Sequence, residues 1–275
     1  MRRATFILLV VAALGCRYRF TPGIYVPLQV GVLYRYTSRY VLTGEYEKPM
    51  GRYYTPDSLL ILSDTSYEGY EARKVFIKKQ YECREGVCNP YDPSPECYCV
   101  ADTALYYLKE DTLVFVAELS LLIPPKFRIF YNDRSHFVSV IPHDTLVQMP
   151  IFYTLADPGS MWEVRRGEAT VKVWPEDYDS TRDSTLTVDI SYRITAEIPG
   201  FEDVETSYGR FRACAKASYY IYMSGSSIPD ITLHAMDVWW CDGVGQVKYV
   251  YTPEAAAYKD STLTYMELSF IEEGL

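Results

Sequence analysis

The sequence predicts an all-β protein, mainly antiparallel, built as a curved sheet or half-barrel, with a division into two β lobes as one organisation of it. Three observations predict this class. Tyr is abundant, with 27 residues in 275, and with Val, Ile and Thr it suits a pleated, half-buried surface. Strand-length runs recur along the chain, separated by Gly, Pro, Asp and Ser. No run reads convincingly as a helix, and the best helical candidate is a single turn around Glu254–Tyr258.

The predicted strands, in order, are Val32–Leu42, Ser58–Leu62, Tyr70–Cys83, Cys97–Leu108, Thr112–Leu119 and Thr145–Tyr153 in the first half. Met161–Trp174, Thr185–Ile198, Gly209–Met223, Ile231–Cys241, Gln246–Tyr251 and Thr262–Ile271 follow. One phrase opens several of them: Asp57-Ser58-Leu59, Asp111-Thr112-Leu113, Asp144-Thr145-Leu146, Asp183-Ser184-Thr185-Leu186 and Asp260-Ser261-Thr262-Leu263. This is turn chemistry, in which Asp and Ser bond the local backbone before the apolar residue starts the strand. A weaker echo pairs a Pro-apolar stretch with a Gly turn and an aromatic strand start, at Pro27-Leu28 to Tyr36 and again at Pro150-Ile151 to Trp162. It suggests an N-terminal β lobe over 23–145 and a C-terminal one over 146–275, with a single continuous sheet as the alternative.

The hairpin of Gly209–Met223 and Ile231–Cys241 carries the most information. Pairing it about the turn-rich link Ser224–Asp230 puts Cys214 opposite Cys241. The same register sets Ala215 by Trp240, Ala217 by Val238 and Tyr219 by Met236 on one apolar face, because side chains alternate along a strand. Lys216/Trp239 and Ser218/Asp237 fall on the other face with the two cysteines. A disulfide Cys214–Cys241 and a cation–aromatic pair are therefore expected together. His234 is expected opposite Ile221 on the apolar face, as a satisfied core or rim histidine. The aromatics Tyr220, Tyr222, Trp239 and Trp240 are the candidate binding residues, a platform for a sugar or a lipid, although Tyr is also simply a good strand residue with a polar tip. Asp242-Gly243-Val244-Gly245 then reads as a tight turn or bulge, since no Lys or helix follows to make it a phosphate loop.

Cys83, Cys88, Cys97 and Cys99 form a second cysteine group. Antiparallel pairing of Tyr70–Cys83 with Cys97–Leu108 brings Cys83 near Cys97 or Cys99. Four cysteines allow three pairings, and Cys83–Cys97 with Cys88–Cys99 is preferred. These bridges would staple the Pro-rich loop Asn89–Pro95. Zinc is disfavoured, because two Cys-x-x-Cys knuckles are missing.

No catalytic residue, cofactor or metal site is assigned. The three histidines, His136, His143 and His234, sit in no triad or metal spacing, and no Gly-x-Ser-x-Gly, His-Glu-x-x-His or Walker loop occurs. Asp177, Asp179 and Asp183 are spaced like calcium ligands but lack the turn Gly and the terminal Glu, so a solvated turn is the reading. The formal charge of −9 with no basic stripe excludes nucleic acid as a natural partner.

The N-terminus is a separate segment. Met1-Arg2-Arg3 is basic and the run to Leu14 is apolar, but it is shorter than the ~20 residues that span a bilayer, and no second run approaches that length. It reads as a signal peptide, residues 1–15. Ala13-Leu14-Gly15-Cys16 resembles the lipobox of bacterial lipoproteins. The resemblance implies cleavage before Cys16 and a diacylglycerol, with palmitate as an expected acyl chain, on its thiol; 16–22 would be a lipidated linker. Six cysteines then remain, an even number that suits disulfides in an exported chain. Gly209-Arg210-Phe211-Arg212-Ala213-Cys214 with Gly243-Val244-Gly245-Gln246-Val247 resembles the signature "Gly-x-Phe-x-x-Cys … Gly-Val-Gly-x-Val" of uncharacterised bacterial exported lipoproteins. That family is expected to be β-rich and to lie at the cell envelope. Arg17 after the lipidated cysteine, by the same resemblance, favours the outer over the inner membrane.

Three functions are carried forward. The first is a non-enzymatic envelope lipoprotein whose curved sheet binds an apolar ligand or an envelope partner. The second is a structural or adhesive surface module without a ligand cavity. The third, an envelope-polymer hydrolase, would need a cleft with a carboxyl of raised pKa or a histidine.

Overall fold

Alternation of buried and exposed residues is visible along most of the chain in the computed structural model, which describes residues 29–42, 46–49, 57–83, 97–122, 126–131, 134–175, 185–251 and 263–272. Met161–Pro175 shows the rule, with Trp162, Val164, Ala169, Val171 and Val173 buried between more exposed neighbours. The first six strands are β1 (Leu33–Leu42), β2 (Tyr46–Pro49), β3 (Asp57–Tyr67), β4 (Tyr70–Cys83), β5 (Cys97–Lys109) and β6 (Thr112–Ala117). A 3-10 turn, Leu119–Leu121, follows. Then come β7 (Lys126–Tyr131), β8 (Arg134–Pro142), β9 (Val147–Tyr153), β10 (Met161–Pro175), β11 (Leu186–Glu205) and β12 (Arg210–Gly225). The last three are β13 (Ile228–Cys241), β14 (Gly245–Tyr251) and β15 (Leu263–Glu272).

All fifteen strands belong to one antiparallel sheet, in the order β7-β8-β10-β11-β12-β13-β14-β15-β1-β3-β4-β5-β6-β9, with β2 added beside β1. The path ends at β7 and β9, so the ladder is open. It is also strongly curled. Nine steps separate β12 from β9, which at about 4.8 Å per step would be roughly 43 Å in a flat sheet. Yet the Tyr219 hydroxyl on β12 donates to the carbonyl of Ile151 on β9 at 2.5 Å. The Trp162 indole on β10 likewise donates to the Pro150 carbonyl on β9 at 2.8 Å. The sheet therefore rolls until its two ends nearly meet, and the rolled interior is the core.

One apolar cluster fills that interior, from Val32 to Leu268. The expected division near residue 145 does not separate two cores. β1 pairs with β15, and β9 returns to pair with β6, so both halves share one ladder. Long-range pairing overrides the local echo that suggested two lobes.

Three strands were not predicted: β2, β7 and β8. β11 runs seven residues past Ile198, through Pro199-Gly200, because bulges between Glu197 and Gly200 and between Glu202 and Val204 absorb the irregularity. The β12–β13 link is tighter than expected. Gly225 already pairs with Ile228, leaving only Ser226-Ser227 as the turn. The β13–β14 turn is as expected: Cys241 pairs with Gly245, and Gly243 and Gly245 take φ of 73° and 90°, a region that glycine enters at little cost. The Glu254–Tyr258 turn and the acidic loop of Asp177, Asp179 and Asp183 lie outside the described residues.

Candidate functional site

Rolling the sheet brings residues far apart in sequence around one cavity. Its wall comes from β1 (Tyr36), β5 and β6 (Tyr106, Phe115), the 3-10 turn (Leu121, Leu122), β9 (Ile151), β12 (Tyr219), β13 (Met236, Val238, Trp240) and β14 (Gln246, Tyr249). Ser58, Leu59 and Lys78 are half-buried and mark its mouth at the β3–β4 end. The volume is about 40 Å³. By the measure of one water in about 10–15 Å³, that is room for a group of a few heavy atoms and not for an acyl chain.

Aromatic contacts set the shape of this wall. Phe152 stacks on Trp240 with ring centroids 5.1 Å apart, Tyr106 stacks on Phe115 at 4.8 Å, and Tyr36 meets Tyr249 edge-on at 5.8 Å. The polar tips are mostly spoken for. Tyr36 donates to the carbonyl of Gln246 at 3.0 Å, and Tyr219 to that of Ile151. Burial pushes the phenols of Tyr106 and Tyr219 well above their ordinary value, so both stay neutral. The buried indole N–H of Trp240 is directed at the Tyr219 phenol and works against the larger, raising effect of burial on it.

The outer face of β12–β13 is a second constellation. Asp237, 9% exposed, accepts from Ser218 at 2.6 Å, pairs with Lys216 at 2.9 Å, and lies 2.8 Å from Nε2 of His234. Burial alone would raise this carboxyl. The bonds from His234, Ser218 and Lys216 and the His234 charge outweigh it and hold the group below its ordinary value. Tyr220 stacks on His234 at 4.9 Å and donates to Glu197 at 2.8 Å. Its phenol is pushed up to about 12, first by burial and then by Glu197. Trp239 lies between the ammonium groups of Lys216 and Lys248, at 5.3 Å and 5.1 Å, and its N–H donates to Glu202.

This outer face is covered by the chain itself. Beyond its bulges, the tip of the β11–β12 hairpin reaches over to β15. Ser207 donates to the buried Glu267, and the Tyr208 amide bonds the Leu268 carbonyl at 3.1 Å. The expected disulfide Cys214–Cys241 is present there, buried, with Cα atoms 4.4 Å apart.

The register of β12–β13 from Ala215/Trp240 to Tyr219/Met236 is as expected. Beyond it, a bulge between Tyr219 and Tyr220 shifts the pairing by one. His234 therefore faces Tyr220, not Ile221, and belongs to the polar outer face. This corrects its expected place on the apolar face; symmetric pairing cannot foresee an extra residue in one strand. The four candidate aromatics do not share a face. Trp240 lines the cavity, whereas Tyr220, Tyr222 and Trp239 point outward, Tyr222 under the Arg193 guanidinium at 4.8 Å.

The backbone register pairs Cys83 with Cys97 and Gln80 with Cys99. The side chains of Cys83, Cys97 and Cys99 lie outside the described ones, as do Cys88 and Cys16 altogether. Among the described residues no group of His, Cys, Asp and Glu could hold a metal ion, and no helix is long and apolar enough to cross a membrane. His143 is exposed, 3.0 Å from the Thr170 hydroxyl.

Sequence reading missed Tyr36, Tyr106 and Tyr249 as wall residues, and Glu197 and Glu202 as partners of the outer aromatics. Alternation could have put the three tyrosines on one face of their strands. Only curvature brings those strands together.

No family model matches the chain, and no curated protein matches it. Two solved structures are similar to it. One is of a candidate lipoprotein from Parabacteroides distasonis, 14% identical over 91% of this chain and 98% of that one, with a TM-score of 0.48. The other is of a candidate exported protein with a YmcC-like fold from Bacteroides fragilis, 11% identical over 91% of this chain and 100% of that one, with a TM-score of 0.46.

Proposed function

We propose that the chain is exported and tethered to the bacterial envelope, at the outer membrane, by a lipid on Cys16, and that it works without catalysis, holding an apolar group in the cavity of its rolled sheet. The cavity is the observation that carries this reading. Its wall is aromatic and aliphatic, and its lining contains no His, Asp, Glu or Cys. Such a wall favours retention of an apolar group over acid–base or nucleophilic chemistry. The volume suits the short branched end of a larger molecule, a few heavy atoms in size, with the rest leaving past Ser58 and Lys78. The basic start, the short apolar run and the Gly15-Cys16 junction support the tether. The test is the intact mass of the full chain purified from a bacterial membrane, together with a solvent extract of the folded protein. A chain beginning at Cys16 with a lipid-sized gain, and an apolar compound in the extract, is the expected result. A mature chain without the gain overturns the tether, and an empty extract overturns the holding role.

A second reading, an envelope protein partner, is favoured by one feature. Among the described residues, β7 pairs only with β8 at the end of the ladder. A strand edge of this kind can accept a strand from another chain. Cross-links in intact cells that map to β7 and vanish with Arg128→Pro would support it; unchanged cross-links would dismiss it.

A further inference from the structure

We propose that the outer rim of the sheet, where β15 meets the tip of the β11–β12 hairpin, lies on the bilayer surface and seats Tyr208 and Phe270 among the headgroups of uncharged, zwitterionic phospholipid. This inference rests on the tether at Cys16 proposed above and goes beyond it, from attachment to orientation. Among the described residues, Tyr208 and Phe270 are the exposed large aromatics, at 49% and 45%; the other large exposed apolar side chains are aliphatic or Met. Distant parts of the chain bring the two rings to one place. The Tyr208 amide bonds the Leu268 carbonyl at 3.1 Å, and Phe270 stands two residues further along β15. Phe270 pairs with Arg35, whose neighbours Tyr34 and Tyr36 are buried. Tyr36 lines the cavity, so Phe270 is on the outer face, as is Glu267, which holds the Ser207 amide. Phe211, half-buried, stacks on Tyr208 at 6.4 Å.

The proposed attachment of the chain says what covers these rings. Arg35 lies six residues after Gln29, the first described residue, and Gln29 lies thirteen after Cys16. A fully extended stretch of thirteen residues spans at most about 45 Å, so a lipid on Cys16 holds this rim within that reach of a bilayer. A surface kept so near meets lipid at a high effective concentration, and two rings then suffice where free protein would need many. The charges suit a neutral surface. The Arg35 guanidinium lies over the Phe270 ring at 5.7 Å and reaches Glu272 at 3.7 Å, and Arg210 reaches Asp203 at 3.3 Å. Each arginine thus has a carboxylate beside it. Ring faces with polar tips and balanced charge are suited to the boundary between water and acyl chains.

The test is hydroxyl-radical footprinting of the lipidated mature chain on vesicles of phosphatidylethanolamine and phosphatidylcholine, read residue by residue by mass spectrometry. The comparison is the mature chain carrying Cys16→Ser, free in buffer. Met161 on β10, 66% exposed and five strands from β15 along the ladder, is the internal reference. Relative to it, Tyr208, Phe211 and Phe270 are expected to react at least about threefold more slowly on vesicles. The protection should persist in about 0.5 M salt, which screens charge and leaves ring burial intact. In the lipidated variant Tyr208→Glu with Phe270→Glu, the chain should still float with vesicles and Phe211 should lose its protection. Unprotected rings on a lipidated, floating parent overturn the docked face and leave the tether standing. Protection of Phe211 that survives the double variant also overturns it, because nearness alone would then shield the rim. Protection lost in salt transfers the contact to charge and overturns the aromatic one. A mature chain that carries no lipid and stays off the vesicles overturns the tether and this inference together. Should the variant not fold, the parent footprint decides alone.

Discussion

The two faces of the β12–β13 hairpin are both buried, and by opposite means. The inner face, with Ala215, Ala217, Tyr219, Ile221, Met236, Val238 and Trp240, is covered by the far end of the same sheet rolled over it. The outer face, with Cys214, Ser218, Asp237, Trp239 and Cys241, is covered by a folded-back hairpin tip and held by a disulfide, ion pairs and hydrogen bonds. The inner face gains from area and fit, which are tolerant in direction but sensitive to volume. The outer face buries polar groups, which is tolerable only because each has a partner at the right angle. An apolar cavity is thus built on the face where volume counts, and the charged network stands where geometry counts.

Breaking the inner face should have the largest effect. Trp240→Ala removes a buried ring that packs on Phe152 and should cost about 3–5 kcal/mol, read as a lowered urea midpoint. A loss under about 1 kcal/mol would mean that the cavity wall collapses freely around the gap. Breaking the outer face covalently comes next. Replacing both Cys214 and Cys241 by Ser removes a link between residues 27 apart and should cost about 2–5 kcal/mol. The same loss should follow when the unmodified protein is melted in reductant; an unmoved melting temperature would make the tip's packing sufficient without the bridge.

The smallest expected effect isolates the charge. Asp237→Asn keeps the shape but leaves Lys216 without its carboxylate and should cost about 1–3 kcal/mol at neutral pH. Because the folded-state carboxyl is held below the ordinary 3.8, its contribution is complete above that value and is lost as pH falls through the folded value. The gap between parent and variant should therefore close in acid, as checked by denaturation midpoints from neutral pH downward. A gap that is constant with pH would assign the effect to hydrogen-bond shape and not to charge.

Much of this fold is legible in the sequence. The Asp-Ser-Leu and Asp-Thr-Leu phrases stand at the starts of β3 and β6, because Asp and Ser bond the turn backbone and release the chain at the next apolar residue. The register from Ala215 to Tyr219 was legible because an apolar face, a cation–aromatic pair and two cysteines all demanded it. His234 was misplaced because its position depends on a bulge, which depends on Ala235 being accommodated in the packed sheet. β7 and β8 are not predicted, although two alternating runs flank the polar pair Asn132-Asp133 in the sequence.

The sequence by itself determined most of the strand segments, which residues share a face up to the bulge after Tyr219, and that Cys214 meets Cys241. All three are set by contacts between near neighbours or across a short turn, where side-chain period and turn chemistry suffice. The tertiary structure alone decided that one sheet joins both halves, with Tyr36 bonding Gln246 across 210 positions. It also decided that Trp240 faces a cavity while Trp239 faces a charged network. Those outcomes follow from the accumulated twist and curl of fifteen strands, a sum of small rotations that no local stretch of residues records.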